Sequence, residues 1–209
     1  QKDVAEQMGI MSESIEPDFI ISSGDCFHGN GVRSTTDPMW FSNFESIYTH
    51  PGLHCDWYPV LGNHEYHGNT QAVIDYSTIS RRWNMPAHYY TLVKKIDDSC
   101  SLRLIFIDTT PFVSEYRLDS INYPDIIRQD WKRQLIWIDS VLASSSEKWK
   151  IVIGHHPCYS IDNKHGNTPE LIVNLNPLLV KYNVDAYFSG HIHNFQHLRI
   201  PGSEMEYII

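Results

Sequence analysis

His191 and His193 stand one residue apart in the stretch Phe188-Ser189-Gly190-His191-Ile192-His193-Asn194. They follow an apolar run, Val184 to Phe188, that reads as a buried strand. Gly190 lets the backbone turn sharply at the strand end, so the two imidazoles leave it together. Neutral imidazole is the commonest nitrogen ligand for Zn or Fe, and such a pair can reach two cations lying close together. Taken alone, the stretch reads as readily as a polar turn with two solvated histidines.

Three other stretches share the form. Phe19-Ile20-Ile21-Ser22-Ser23-Gly24-Asp25 is an apolar strand ending in Gly-Asp. Trp57-Tyr58-Pro59-Val60-Leu61 runs into Gly62-Asn63-His64-Glu65. Lys150-Ile151-Val152-Ile153 runs into Gly154-His155-His156. Four hydrophobic strands each meet a glycine and then Asp, Asn or His, which is more than chance supplies. The 12 histidines of the chain also favour metal chemistry over solvated turns.

This set resembles the calcineurin-like metallophosphoesterase superfamily. Within it the chain is similar to the purple acid phosphatases, above all the small, tartrate-resistant animal type and its bacterial relatives. Gly24-Asp25-Cys26-Phe27-His28 with Gly31-Val32, Trp57-Tyr58 ahead of Gly62-Asn63-His64, and Arg82-Trp83-Asn84-Met85-Pro86 leading to Tyr89-Tyr90 carry the same likeness. The resemblance covers almost the whole chain. It implies an α/β fold, a four-layer αββα sandwich of two mixed sheets with a dimetal site at one edge. It also implies an acid-phosphatase-like activity, hydrolysis of a phosphate monoester by metal-activated water.

By the same resemblance Asp25 bridges two metal ions, with Fe, Zn or Mn left open. Asn63, His155 and His191 would hold one ion, and His193 with the residue at position 28 the other. His64 and His165 would stand on the substrate side and assist the leaving alcohol. His156 and Glu65 would support the site from behind. Position 28 departs from the pattern, which has Tyr three residues after the bridging Asp. Imidazole at His28 could still ligate, but no phenolate-to-iron absorption band can arise from it. Two other readings stay open: a phosphodiesterase or nucleotidase of the same superfamily, and a non-catalytic metal-binding relative.

The elements that must position these residues follow from periodicity. Lys2–Ser14 reads as a helix, with Val4, Met8, Met11 and Ile15 near one face. A strand is expected over Asp18–Ser22, and Asp37-Pro38 opens a helix to about Ile47. Val60-Leu61 reads as a short strand, Thr70–Ser80 as a helix, and His88–Lys94 with Leu102–Asp108 as paired strands. Pro111–Asn122 has no clear period. Ile127, Trp131, Leu135, Ile138 and Leu142 predict one helix over Pro124–Ser144. A strand over Lys150–Ile153, a loop over His156–Asn167 and a helix over Thr168–Tyr182, kinked at Pro177, follow. Phe195–Ile200 and Met205–Ile209 read as strands of a second sheet.

Length and composition narrow the classes. At 209 residues one domain, 1–209, is the default, with enough chain for a sizeable core. The superfamily usually opens with a strand ending in Asp-x-Gly or Asp-x-His ahead of the first helix. Here the helix comes first and Asp3 lies inside it, so the domain is expected to be incomplete at both ends. A formal charge of −9 argues against nucleic-acid partners and leaves a small-molecule phosphate ester open, since metal ions supply local positive charge. No membrane span is expected, and no signal peptide is visible; the resemblance implies a secreted or periplasmic protein. Cys26 reads as a packed free thiol, while Cys55, Cys100 and Cys158 could include a disulfide.

Overall fold

The computed structural model describes all residues, Gln1–Ile209. The chain opens with α1 (Lys2–Ile15), which Glu16 ends in a left-handed conformation, and continues into β1 (Phe19–Ser22). Asp37 caps α2 (Pro38–Trp40) through a bond from the Met39 N–H, and a π-type turn carries on over Phe41–Glu45. Then come β2 (Asp56–Pro59) and α3 (Thr70–Asp75), whose cap is the Asn69 side chain. The hairpin β3 (Tyr90–Lys95) and β4 (Ser101–Phe106) is followed by α4 (Ser114–Leu118) and α5 (Trp131–Ser144). The last elements are β5 (Trp149–Ile153), α6 (Pro169–Asn174), α7 (Asn176–Lys181), β6 (Ala186–Phe188), β7 (His197–Arg199) and β8 (Glu206–Ile208).

Two sheets result, the larger of them mixed. β1 and β2 pair in parallel, and the other strands form a six-stranded sheet in the order β3-β4-β5-β6-β8-β7. Within it β4, β5, β6 and β8 run parallel, while β3 and β7 are antiparallel edges. Alternation along β4 divides the interior. Leu104 and Phe106 face an aromatic core shared with Trp40, Phe44, Trp57 and Trp83 on the β1–β2 side. Ile105 and Ile107 face a second core built with Ile138 and Leu142 of α5 and with Leu171 and Leu179 from α6 and α7. The architecture is thus an α/β fold of sheets flanked by helices, and no helix is long and apolar enough to cross a membrane.

Five expectations are corrected. The strand expected at Val60-Leu61 ends at Pro59; the Val60 N–H still donates to Ser22 O, and the chain then turns into Gly62. The helix expected over Pro124–Ser144 is two pieces. Pro124–Arg128 is a 3-10 turn, and Asp130 accepts from the Lys132 and Arg133 N–H groups to start α5 afresh. Ile127, counted into the apolar stripe, is exposed. The strands near the C-terminal end do not build a second sheet: β8 lies parallel on β6 (Ala186 against Glu206), and β7 folds back on β8. All four cysteines are free thiols, so no disulfide forms among Cys55, Cys100 and Cys158. The helix over Thr168–Tyr182 breaks at Leu175, two residues ahead of the expected kink at Pro177, into α6 and α7.

Candidate metal centre

The parallel strands deliver their carboxyl ends to one edge, where α/β sheets carry ligand sites. Ser23-Gly24-Asp25 leaves β1, and Gly62-Asn63-His64-Glu65 follows β2. Gly154-His155-His156 leaves β5, and Gly190-His191 leaves β6. Gly24 adopts φ +93°, and a Cβ there would sit 2.8 Å from both Gly62 N and His155 Nδ1. A Cβ on Gly62 would come within 2.2 Å of Asp25 Oδ1. The two glycines therefore let the first three segments close on one another. Asp25 (φ 55°) and His191 (φ 64°) themselves hold left-handed backbone, a strain of about 1–3 kcal/mol each that concentrates at functional sites.

The side chains converge on His155, which is buried. Its Nδ1 lies 2.8 Å from the Ser23 carbonyl oxygen. A carbonyl only accepts, so in the neutral ring Nδ1 carries the proton and Nε2 keeps a lone pair. That Nε2 lies 3.2 Å from each of Asp25 Oδ2, Asn63 Oδ1 and His191 Nδ1. Lone pairs facing one another at this range call for a positive charge between them. Electrostatics agree. Burial opposes the charged form of the His155 ring, yet the Asp25 carboxylate raises its pKa overall. Burial likewise pushes the Asp25 carboxyl up, but His155 and the His64 N–H pull it well below the usual range. His191 is pushed down to about 4 by burial and by His155, which keeps its ring neutral and free to donate a lone pair. A carboxylate oxygen, an amide oxygen and imidazole nitrogens suit Zn or Fe, so the residues fit a cation. His155, His156 and His191 alone bring ring nitrogens within 4.8 Å of one another, a group able to hold a metal ion.

The other expected residues lie around this group. His28 stacks on His64 with ring centroids 3.9 Å apart and meets His193 edge-on at 5.7 Å. His28 and His193 are thus neighbours, both exposed, on the outer side of the centre. His64 places Nδ1 3.1 Å from the Gly29 N–H and 3.0 Å from the Gly29 carbonyl, and its own N–H donates to Asp25 Oδ1. His165 sits on the loop between β5 and α6, where Asp162 accepts its backbone N–H, and its ring lies 5.1 Å from that of His191.

Glu65 supports the site from behind, as expected, and two further features carried no sequence motif. The buried Glu65 carboxylate accepts from the N–H groups of Asp25, Phe27 and Gly62, locking the β1 and β2 junctions together. Thr109 Oγ1, beyond the end of β4, accepts from the N–H groups of His155 and His156. Tyr116 on α4 reaches His156 Nε2 at 3.2 Å. Each works through backbone groups or a ring that only the folded chain brings near. His156, expected behind the site, lies inside the three-histidine group because β5 carries it past Gly154 toward His191, with ring centroids 4.5 Å apart.

Comparison with known proteins places this geometry. The family described as calcineurin-like phosphoesterase matches residues 2–195. Purple acid phosphatase 17 of Arabidopsis thaliana is 37% identical over 215 residues, covering 98% of this chain and 61% of its own length. Tartrate-resistant acid phosphatase type 5 of Rattus norvegicus is 37% identical, covering 95% of this chain and 60% of its own. The chain therefore spans about three fifths of the length of these curated relatives. Among solved structures, one titled GAP50, the anchor in the inner membrane complex of Plasmodium, matches with a TM-score of 0.79 at 25% identity, covering 98% of this chain and 64% of its own. A dimetal phosphatase from Danio rerio shares the fold, with a TM-score of 0.69 at 12% identity over 99% of this chain and 76% of its own. With nearly its whole length matched and its strand ends carrying the histidine cluster, the chain belongs to the calcineurin-like phosphoesterase family, on the side similar to the purple acid phosphatases.

Proposed function

We propose that this chain holds metal at Asp25, Asn63, His155 and His191 and hydrolyses a phosphate monoester bound above them. The observation that carries the reading is His155 Nε2, with a carboxylate oxygen, an amide oxygen and an imidazole nitrogen each 3.2 Å away. His28 and His193, adjacent on the outer side, would serve a second ion. Bound cations of this kind neutralise phosphoryl oxygens and make water acidic enough to attack phosphorus. The chain's own part is to hold and to protonate. Glu65 and the Gly24–Gly62 contact keep Asp25 aimed at His155. Gly29 and His28 fix the His64 ring from two sides, which leaves Nε2 to give a proton to the leaving oxygen. His165 lines the cleft beside His191.

A second reading, a metal-binding relative without turnover, has its own support. The compact group is one three-histidine cluster, and His28 stands where the resemblance implies Tyr. The Plasmodium neighbour is described as an anchor. Turnover of an aryl phosphate against a bis-aryl diester, with and without added metal, separates the readings. Metal-dependent hydrolysis of the monoester is the expected result. Preferred cleavage of the diester points to a phosphodiesterase, and stoichiometric metal with no turnover of either ester supports the non-catalytic relative.

A further inference from the structure

Tyr116 sits on α4, outside every motif that points to metal. Its ring is buried, 5.3 Å from that of His156, and its hydroxyl makes one hydrogen bond within the chain, to His156 Nε2 at 3.2 Å. The direction of that bond follows from Thr109. A threonine hydroxyl has one proton and two lone pairs. The His155 and His156 N–H groups, 3.2 and 2.9 Å away, take both lone pairs of Thr109 Oγ1. Its proton then goes to His156 Nδ1, 2.9 Å away. The opposite polarity would load a third N–H onto an oxygen with no lone pair left. His156 is thus held with Nδ1 accepting and the proton on Nε2, which donates to the Tyr116 oxygen. No lone pair of His156 remains for a cation, and the Tyr116 proton remains unspent. Tyr116 lines a cavity of about 230 Å³ together with His156, His165 and His191.

We propose that Tyr116 is a further ligand-binding residue, whose hydroxyl, oriented by Thr109 through His156, donates a hydrogen bond to a phosphoryl oxygen in the cavity beside His191. The proposal rests on the phosphoester reading above and adds a contact to it. With that proton in place His156 acts as a positioning residue that joins α4 to the centre, and of the three clustered histidines only His155 and His191 remain to face a cation.

Titration of the metal-replete full-length protein with inorganic phosphate, followed by calorimetry, tests this. Tyr116→Phe should weaken phosphate roughly tenfold, the loss of one hydrogen bond to a charged group, with metal content unchanged. Thr109→Val should weaken it in the same direction and Thr109→Ser should restore it, a rescue that a purely structural role would not produce. Phosphate affinity of Tyr116→Phe within twofold of the wild type overturns the proposal alone. Absence of phosphate binding by the wild type overturns the phosphoester reading and this proposal with it. Should Tyr116→Phe not fold, the threonine pair decides: equal affinity of Thr109→Val and Thr109→Ser overturns the proposal.

Discussion

His64 and Asn63 are adjacent in sequence but face different tasks. Asn63 Oδ1 turns inward to His155, while the His64 ring lies outward between Gly29 and His28. On the proposed role, removing the His64 ring takes away a proton donor without touching the atoms around His155 Nε2. His64→Ala is therefore expected to lower kcat by roughly 100-fold or more, the scale of general acid catalysis, with metal content retained. Equal loss of metal, measured by plasma emission, would refute the assigned role. At this scale the sequence was informative where chemistry and backbone turn coincide. Asp25, Asn63, His155 and His191 each follow a glycine at a strand end, and they are neighbours in the folded chain. Thr109 and Tyr116 were not legible in that way. Their partners are backbone N–H groups or a second ring, and no residue spacing announces those.

The strands and helices hold the edge open for this site. Trp83 shows how: its indole N–H donates to Val73 O, and its ring packs edge-on against Phe44 and Trp40. It is 1% exposed in the core between the sheets. Trp83→Ala is expected to cost about 3–5 kcal/mol of stability, read as a lowered urea midpoint. A destabilisation below 1 kcal/mol would show that the core repacks around the gap. The pairing of β4 with β5 is fastened near its start by Arg103 and Glu147, 2.7 Å apart. Burial pushes the Glu147 carboxyl up, but Arg103 and Ser145 hold it down to about 2, below its usual 4.5. A depressed acid stabilises the fold above its unfolded pKa and loses that contribution as pH falls through the folded one. The stability difference between wild type and Glu147→Gln should therefore be full above about pH 4.5 and should fade toward pH 2. A difference independent of pH would exclude the ion pair as its source. Strand positions were readable where, as at Leu104–Ile107, the run is continuously apolar and buried. The break before α5 was not, because the apolar stripe runs across it and only the Asp130 cap interrupts the helix. The placement of β8 on β6 follows from which sheet edge was free, a property of the assembled fold.

For the whole molecule, one statement supports the rest: four strand ends, far apart in sequence, meet around a position whose residues fit a cation. Chain order puts Asp25, Asn63, His155 and His191 across most of the 209 residues, so only the parallel arrangement of the strands unites them. The family match and the likeness to acid phosphatases agree with that arrangement, while the Plasmodium anchor shows the same fold described by another role. Metal content decides first, before any substrate is tried. The direct measurement is metal stoichiometry by plasma emission on full-length wild type, Asp25→Ala and His155→Ala, each checked for folding by circular dichroism. The account predicts at least one tightly held transition metal per wild-type chain and a clear loss in both variants. Metal-free wild type prepared without chelator, or the same content in all three proteins, would contradict it.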